Sequence, residues 1–291
     1  MSAGAAVASG GGTGEPRHGV RIAVIWAVLT VICVPLVIWV AGPHIPPFGR
    51  SLQSEDQHVV NVVLSALAVP VVALIWVYFG YAITVFRQEG PEVVDGPALI
   101  APPRIQVLWL VVTASIVLGL AAYGTWGLYN SSAGAGGGQG PSPLSTPPPG
   151  SHPLEVQVIG QQWMWTFRYP SYGGVETATL ELPTNRWIAF HVTSLDVDHS
   201  FWAYELGIKA DAIPGSDNVA YLQPKQTGTF QVRCAELCGV WHGHMNSFGK
   251  IVSPTEFASW ITARQSQYAA ITKDLPPYSH VYYPDPIRRA G

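Results

Sequence analysis

Charge is scarce in this chain. Only 11% of its 291 residues are Asp, Glu, Lys or Arg, and 15 basic residues against 18 acidic ones leave a net charge of −3 at pH 7. No cluster of Lys and Arg can neutralise a phosphate backbone, which excludes nucleic acid as a partner. There are three cysteines and no Cys-x-x-Cys-His, so no c-type haem is attached covalently. There is no internal repeat. Apolar residues are abundant instead: they make up 48% of the chain, and a mean hydropathy of +0.23 is unusual for a soluble protein and points to a membrane.

Three charge-free apolar runs, 22–42, 59–86 and 105–129 within a region 21–130, can each cross a hydrocarbon core, which takes about 20 helical residues. Arg17 and Arg21 precede the first run, Arg87 ends the second and Arg104 opens the third. The positive-inside rule puts residues 1–20, a disordered N-terminus, and the 87–104 loop in the cytoplasm. Everything after the third run is then on the extracytoplasmic side of the plasma membrane. The first run exceeds the signal-peptide core of about 7 to 15 residues, and Pro43 follows Ala41-Gly42 where cleavage would fall, so it reads as a retained helix. Its removal would leave the other two runs in the same orientation. Cys33 within it reads as a packed or lipid-facing thiol, because Ile32 is not the small residue that a lipoprotein signal wants.

Residues 131–153, SSAGAGGGQGPSPLSTPPPGSHP, cannot build a core and read as a linker. From 154 the chain changes to short runs of strand character: EVQVI, QWMWTFRY, ETATLEL, WIAFHVT, NVAYLQ and GTFQVRC. They are punctuated by Gly173-Gly174, Pro183, Pro214-Gly215 and Pro224. A small all-β sandwich or barrel over 154–272 is predicted. Ser253-Pro254-Thr255-Glu256 forms a capping box with proline at the first helical position, and Phe257, Trp260 and Ile261 follow at helical spacing. One helix therefore closes the domain. The proline-broken tail, 273–291, reads as irregular.

Cys234 and Cys238 stand in CAELCGVWHGHM, residues 234–245. Two cysteines outside the cytoplasm are by default a disulfide. Here His242 and Met245 follow closely, so thiolates, an imidazole and a thioether crowd one loop. Zinc accepts the first two but gains little from a thioether, whereas electron-transfer copper uses Cys, His and a weak axial Met. Copper is favoured. His199, upstream in DVDHSFW, is placed to add a ligand from another loop. A mononuclear blue-copper site uses one cysteine and two histidines; two of each with a methionine suit two coppers bridged by both sulfurs. His191 alternates with Trp187, Ala189 and Thr193 and reads as a satisfied or solvent-facing imidazole. His244 breaks the His-x-x-Met spacing and reads as a surface group or a neighbour of the ligands.

These residues resemble subunit II of the haem-copper cytochrome c oxidases, whose signature C-x-E-x-C-G-x-x-H-x-x-M stands here as Cys234, Glu236, Cys238, Gly239, His242 and Met245. The resemblance extends to DVDHSFW with His199, to LGIKADAIPG at 206–215 and to GQQWMWTFRYP at 160–170. It implies a cupredoxin-like Greek-key domain with a binuclear CuA centre. Such a subunit takes electrons from cytochrome c or another periplasmic donor. It passes them to subunit I in a lipid-embedded, proton-translocating complex that reduces oxygen. By position, Cys234 and Cys238 would bridge both coppers, His199 and Met245 would complete one, and His242 with the carbonyl of Glu236 the other. The Glu236 side chain would hold a magnesium ion shared with subunit I. Trp163 would be the tryptophan at which electrons enter, and Trp165 a core aromatic. Acidic groups such as Asp198, Glu205 and Asp211 would draw a basic cytochrome c.

Oxygen chemistry belongs to a partner chain, because no histidine lies inside the three runs to ligate haem or copper within a bilayer. Gln106 stands where the family commonly has a glutamate linked to proton uptake, and Ser216 where an arginine often follows Pro-Gly. The first run is absent from two-helix relatives. Two other readings stay open. One is the CuA subunit of a haem-copper nitric oxide reductase, to which Gln106 lends weight. The other is a membrane-anchored copper chaperone, whose cysteines would precede a helix in a thioredoxin fold.

Overall fold

The computed structural model describes residues 17–87, 102–130, 134–135, 140–141 and 146–272. The stretch 1–16, residues 88–101, most of the linker and the tail 273–291 lie outside the described residues.

Three helices among the described residues are long and apolar enough to cross a membrane. Helix α1 (His18–Leu36) passes into a π-helical turn (Val37–Ala41) and a 3-10 turn (Gly42–His44) just after Pro35, whose ring has no N–H to give. Helices α2 (Leu52–Val85) and α3 (Pro103–Asn130) carry large exposed side chains such as Trp76, Trp109 and Leu118. Apolar surface of this kind suits lipid. One compact unit combines Met1–Pro43 with Val62–Leu99. Within it the Trp26 indole donates to the Pro70 carbonyl at 2.7 Å, and His18 Nδ1 lies 2.6 Å from the Tyr81 hydroxyl. Lipid offers these polar groups no competing partner.

The second unit combines His44–Asn61 with Ile100–Gly291 and holds the strands. These are β1 (Gly134–Ala135), β2 (Gly140–Pro141), β3 (Leu154–Gln161), β4 (Met164–Tyr169), β5 (Val175–Thr177) and β6 (Leu180–Pro183), then β7 (Ile188–Ser194), β8 (His199–Ala203), β9 (Ile208–Ala212), β10 (Asn218–Leu222), β11 (Gly228–Cys234) and β12 (Asn246–Val252). They form two sheets, ordered β1-β9-β8-β11-β12-β6 and β2-β10-β7-β3-β4-β5. Buried Trp165, Phe167, Phe190, Phe201 and Phe230 fill the space between them. The Tyr169 hydroxyl donates to the Glu181 carbonyl at 2.9 Å and accepts from its N–H at 3.0 Å, tying the sheets together; burial pushes its pKa up.

One expectation is corrected. ETATLEL is two strands: β5 pairs with β4, and β6 pairs with β12 in the opposite sheet, so the chain changes sheets at 178–179. Strands β8, β9 and β12 lack an obvious sequence signal. In β9 the inward residues Ile208, Ala210 and Ala212 are mostly small, and β8 is buried at all positions but Trp202, which removes the alternation that marks a half-buried strand. Helix α4 (Pro254–Thr272) follows β12. Its capping box is made in both directions, Ser253 N to Glu256 Oε2 at 2.9 Å and Glu256 N to Ser253 Oγ at 3.2 Å, and it buries Phe257 and Ile261 on the sandwich.

Helix α2 starts at Leu52, ahead of the apolar run that begins at Val59, because its first turns are bonded to the β-domain. Ser51 caps it, with Ser54 N donating to Ser51 Oγ at 3.0 Å and Ser51 N to Ser54 Oγ at 2.9 Å. Ser51 Oγ donates to the Leu206 carbonyl at 2.5 Å, Gln57 Nε2 to Gly207 at 2.7 Å, and Gln223 N to Gln53 Oε1 at 3.1 Å. Arg50 donates to the Thr229 carbonyl and lies 3.8 Å from Glu205.

Candidate metal centre

Strands β8 and β11 are antiparallel neighbours with Cys234 opposite Phe201, so the first residue of β8 and the last of β11 meet at one end of the sandwich. His199 is thus a strand residue, fully buried, and not the loop residue that sequence suggests. The loop 235–245 is closed onto the sheet by Ala235 N to the Ser200 carbonyl at 2.9 Å and Cys234 N to the Met245 carbonyl at 3.1 Å. Inside it, His242 opens a 3-10 turn, and Cys238 and Met245 are buried.

The donor atoms converge. Cys234 Sγ is 3.8 Å from His199 Nδ1, 3.2 Å from the Glu236 carbonyl oxygen and 3.8 Å from Cys238 Sγ. Cys238 Sγ is 3.6 Å from His242 Nδ1 and 3.8 Å from Met245 Sδ. The ligand atoms of His199, Cys234 and Cys238 all lie within 4.8 Å of one another. Ligands about 2.0 to 2.3 Å from a shared ion at tetrahedral angles stand roughly 3.3 to 3.8 Å apart, close to the spacing found here. A disulfide would bring the sulfurs to about 2.05 Å, and both thiols are free. Two thiols, a thioether and two imidazoles are the soft and borderline donors that suit copper.

Electrostatics prepares one thiol and not the other. Burial opposes ionisation of Cys234, but hydrogen bonds from His199 and from the Ser200 and Glu236 backbone outweigh it and bring the thiol down to about 6. Burial, then the charge on Cys234, pushes Cys238 up to about 12. Burial likewise opposes a charge on His199, yet Cys234 and Asp196 carry its pKa upward. The second thiol proton therefore leaves readily only in exchange for a cation.

The shell around the donors is hydrogen-bonded and tight. Gln162 Nε2 and the Trp163 indole both donate to the Cys238 carbonyl, at 2.8 and 3.1 Å. Trp165 is buried, its ring edge-on to His199 at 6.0 Å and to Phe201 at 5.9 Å. Gly160 packs tightly beside them, since a Cβ there would lie 3.1 Å from His199 Cδ2 and from Trp165 Cζ3. Gly239 takes a φ of +115° under the Trp163 ring, a conformation that favours glycine.

Of the residues singled out from sequence, His199, Cys234, Cys238, His242 and Met245 come together with the Glu236 carbonyl, and Trp163 abuts the loop. The Glu236 side chain is exposed. His191 is satisfied by Asp217 at 3.0 Å, and His244 is exposed, edge-on to Trp241 at 5.3 Å. Asp198 is exposed, whereas Glu205 faces Arg50 and Asp211 accepts from Ser200 Oγ at 2.7 Å. Sequence reasoning missed Asp196, whose Oδ1 lies 2.9 Å from His199 Nε2, and Gln162. The signal for Asp196 was the spacing Asp-x-x-His at the head of DVDHSFW.

The family model described as cytochrome C oxidase subunit II, periplasmic domain, matches residues 175–252. His199, Cys234, Glu236, Cys238, His242 and Met245 lie inside that span and Trp163 outside it. The chain is 26% identical over 274 residues to cytochrome c oxidase subunit 2 of Synechocystis sp., covering 82% of each. It is 37% identical over 123 residues to the same-named protein of Thermostichus vulcanus, covering 42% of this chain and 36% of that one. It is also similar, at 32% identity and a TM-score of 0.38, to the crystal structure of the periplasmic domain of subunit II of cytochrome oxidase from Bradyrhizobium japonicum, covering 40% of this chain and 95% of that one.

Proposed function

We propose that this chain, which belongs to the cytochrome c oxidase subunit II family, is the subunit at which electrons from cytochrome c enter a haem-copper oxidase. It accepts them at a binuclear CuA centre and passes them to the haem-bearing subunit I, where oxygen is reduced. The observation that carries this reading is the convergence of five side-chain donors and one carbonyl, from β8, β11 and a single loop, at 3.2 to 3.8 Å.

In this reading Cys234, Cys238, His199, His242, Met245 and the Glu236 carbonyl would hold the two coppers. Bound copper supplies a one-electron couple. The chain supplies rigidity, because His199 and Cys234 sit on paired strands and the loop is bonded to the Gln162-Trp163 turn. Burial of His199, Cys238 and Met245 keeps water from the donors. Trp163 is half-buried with its indole on the Cys238 carbonyl, so it offers a covalent and hydrogen-bonded route from the surface to a ligand. Leu237, Val240 and Trp241 are exposed on the loop and give a donor protein an apolar landing surface. The exposed Glu236 carboxylate is available for a magnesium ion shared with subunit I. Basic residues at Arg17, Arg21, Arg87 and Arg104 support an extracytoplasmic copper domain, with lipid around the spans.

Oxygen uptake by the purified complex with reduced cytochrome c tests the proposal. The parent complex consumes oxygen, and Cys238→Ser stops it while the helices stay inserted. Parent-rate uptake in Cys238→Ser, or reduction of nitric oxide in place of oxygen, overturns it.

A further inference from the structure

We infer that Asp196 is a positioning residue of the copper centre: its carboxylate holds the His199 ring with Nδ1 toward the cysteine sulfurs and at the same time pins the turn that carries Trp163. The inference rests on the reading of the donor cluster as CuA.

A neutral imidazole that ligates through one nitrogen must keep its proton on the other, and an acceptor for that proton fixes both the tautomer and the ring's rotation. In His199 the two nitrogens face different partners. Nδ1 lies 3.8 Å from Cys234 Sγ and Nε2 lies 2.9 Å from Asp196 Oδ1. The ring is fully buried between Gly160 and the edge of Trp165, and Asp196 Oδ1 is the acceptor that stands against its Nε2.

Asp196 is itself held. Val197 N donates to Oδ1 at 2.7 Å, Gln162 N donates to Oδ2 at 2.7 Å, and the Asp196 backbone N–H donates to Ser194 Oγ at 3.2 Å. From Gln162 the bonding continues, because its Nε2 donates to the Cys238 carbonyl at 2.8 Å and the next residue, Trp163, donates to the same oxygen. A polar chain thus runs from His199 through Asp196 and Gln162 to Cys238. It links a ligand on β8 to a ligand in the 235–245 loop. Asp198, two residues on and exposed, carries the same charge without these bonds and serves as the control.

The test uses the full chain in detergent loaded with copper, read by chelator competition, by EPR hyperfine coupling and by midpoint potential. Asp196→Ala is expected to bind copper roughly tenfold to a hundredfold more weakly. Its hyperfine coupling changes, and its potential rises, because an imidazole without the carboxylate is a poorer donor to the oxidised metal. Asp196→Asn, whose amide oxygen still accepts from Nε2–H, restores affinity and hyperfine coupling toward the parent while the potential stays raised. Asp198→Asn matches the parent in copper affinity, hyperfine coupling and midpoint potential. Parent-like affinity and potential in Asp196→Ala, or an equal shift in Asp198→Asn, overturns the inference and leaves the CuA reading standing. If Asp196→Ala does not fold, the potential of Asp196→Asn decides, a rise supporting the inference and no change overturning it. A parent chain that takes up no copper pair overturns both.

Discussion

Cys234 Sγ and Cys238 Sγ stand 3.8 Å apart, too far for a bond and too close to ionise independently. Hydrogen bonds from His199 and the Ser200 and Glu236 backbone favour loss of the Cys234 proton against its burial, whereas burial first, and then the charge on Cys234, holds the Cys238 proton in place. That asymmetry is a property of the protein before any metal arrives, and it can be read by simple thiol chemistry.

In the metal-free chain one cysteine should react with iodoacetamide at neutral pH, and peptide mapping should place the label on Cys234. The rate should fall as pH drops through about 6, while Cys238, held up at about 12, stays unlabelled. Preferential labelling of Cys238 would reverse the assignment.

Gly160→Ala places a methyl 3.1 Å from both His199 and Trp165. Overpacking of this kind costs about 1 to 3 kcal/mol. Because the atom that must move is on a ligand ring, weaker copper binding should accompany a lower thermal midpoint. A midpoint drop with unchanged copper affinity would show that Trp165 alone gives way.

Trp163→Phe keeps an aromatic ring and removes the indole bond to the Cys238 carbonyl, worth about 1 kcal/mol. The copper spectrum should persist while stopped-flow reduction by cytochrome c slows. Unchanged reduction kinetics would demote Trp163 to packing.

Ser51→Ala removes the cap of α2 and leaves the Leu206 carbonyl without its hydroxyl donor, together about 1 to 3 kcal/mol. The midpoint of the β-domain should fall even though the substitution lies far from it in sequence. No change on calorimetry would mean that residues 51–57 contribute little to that domain.

The site was legible in the sequence because most of its donors sit at fixed offsets in one loop, where spacing alone limits which atoms can meet. His199 was legible as a residue type but not as the first residue of a strand, since β8 is buried on nearly every side chain and shows no period of two. The docking of Ser51, Gln53 and Gln57 had no signal at all: these are ordinary helix-start residues whose partners are backbone groups, the Leu206 and Gly207 carbonyls and the Gln223 N–H, and backbone carries no sequence mark. Asp196 was hidden differently. It shares its short segment with Asp198, and only the direction of the two side chains separates a bonded carboxylate from a solvated one.

The central claim is that these donors hold two coppers as one unit, and the EPR spectrum of the oxidised, copper-loaded chain tests it most directly. The account predicts hyperfine structure from one unpaired electron shared equally between two copper nuclei, lost on Cys238→Ser. A spectrum of isolated single-copper sites in the parent chain would contradict it.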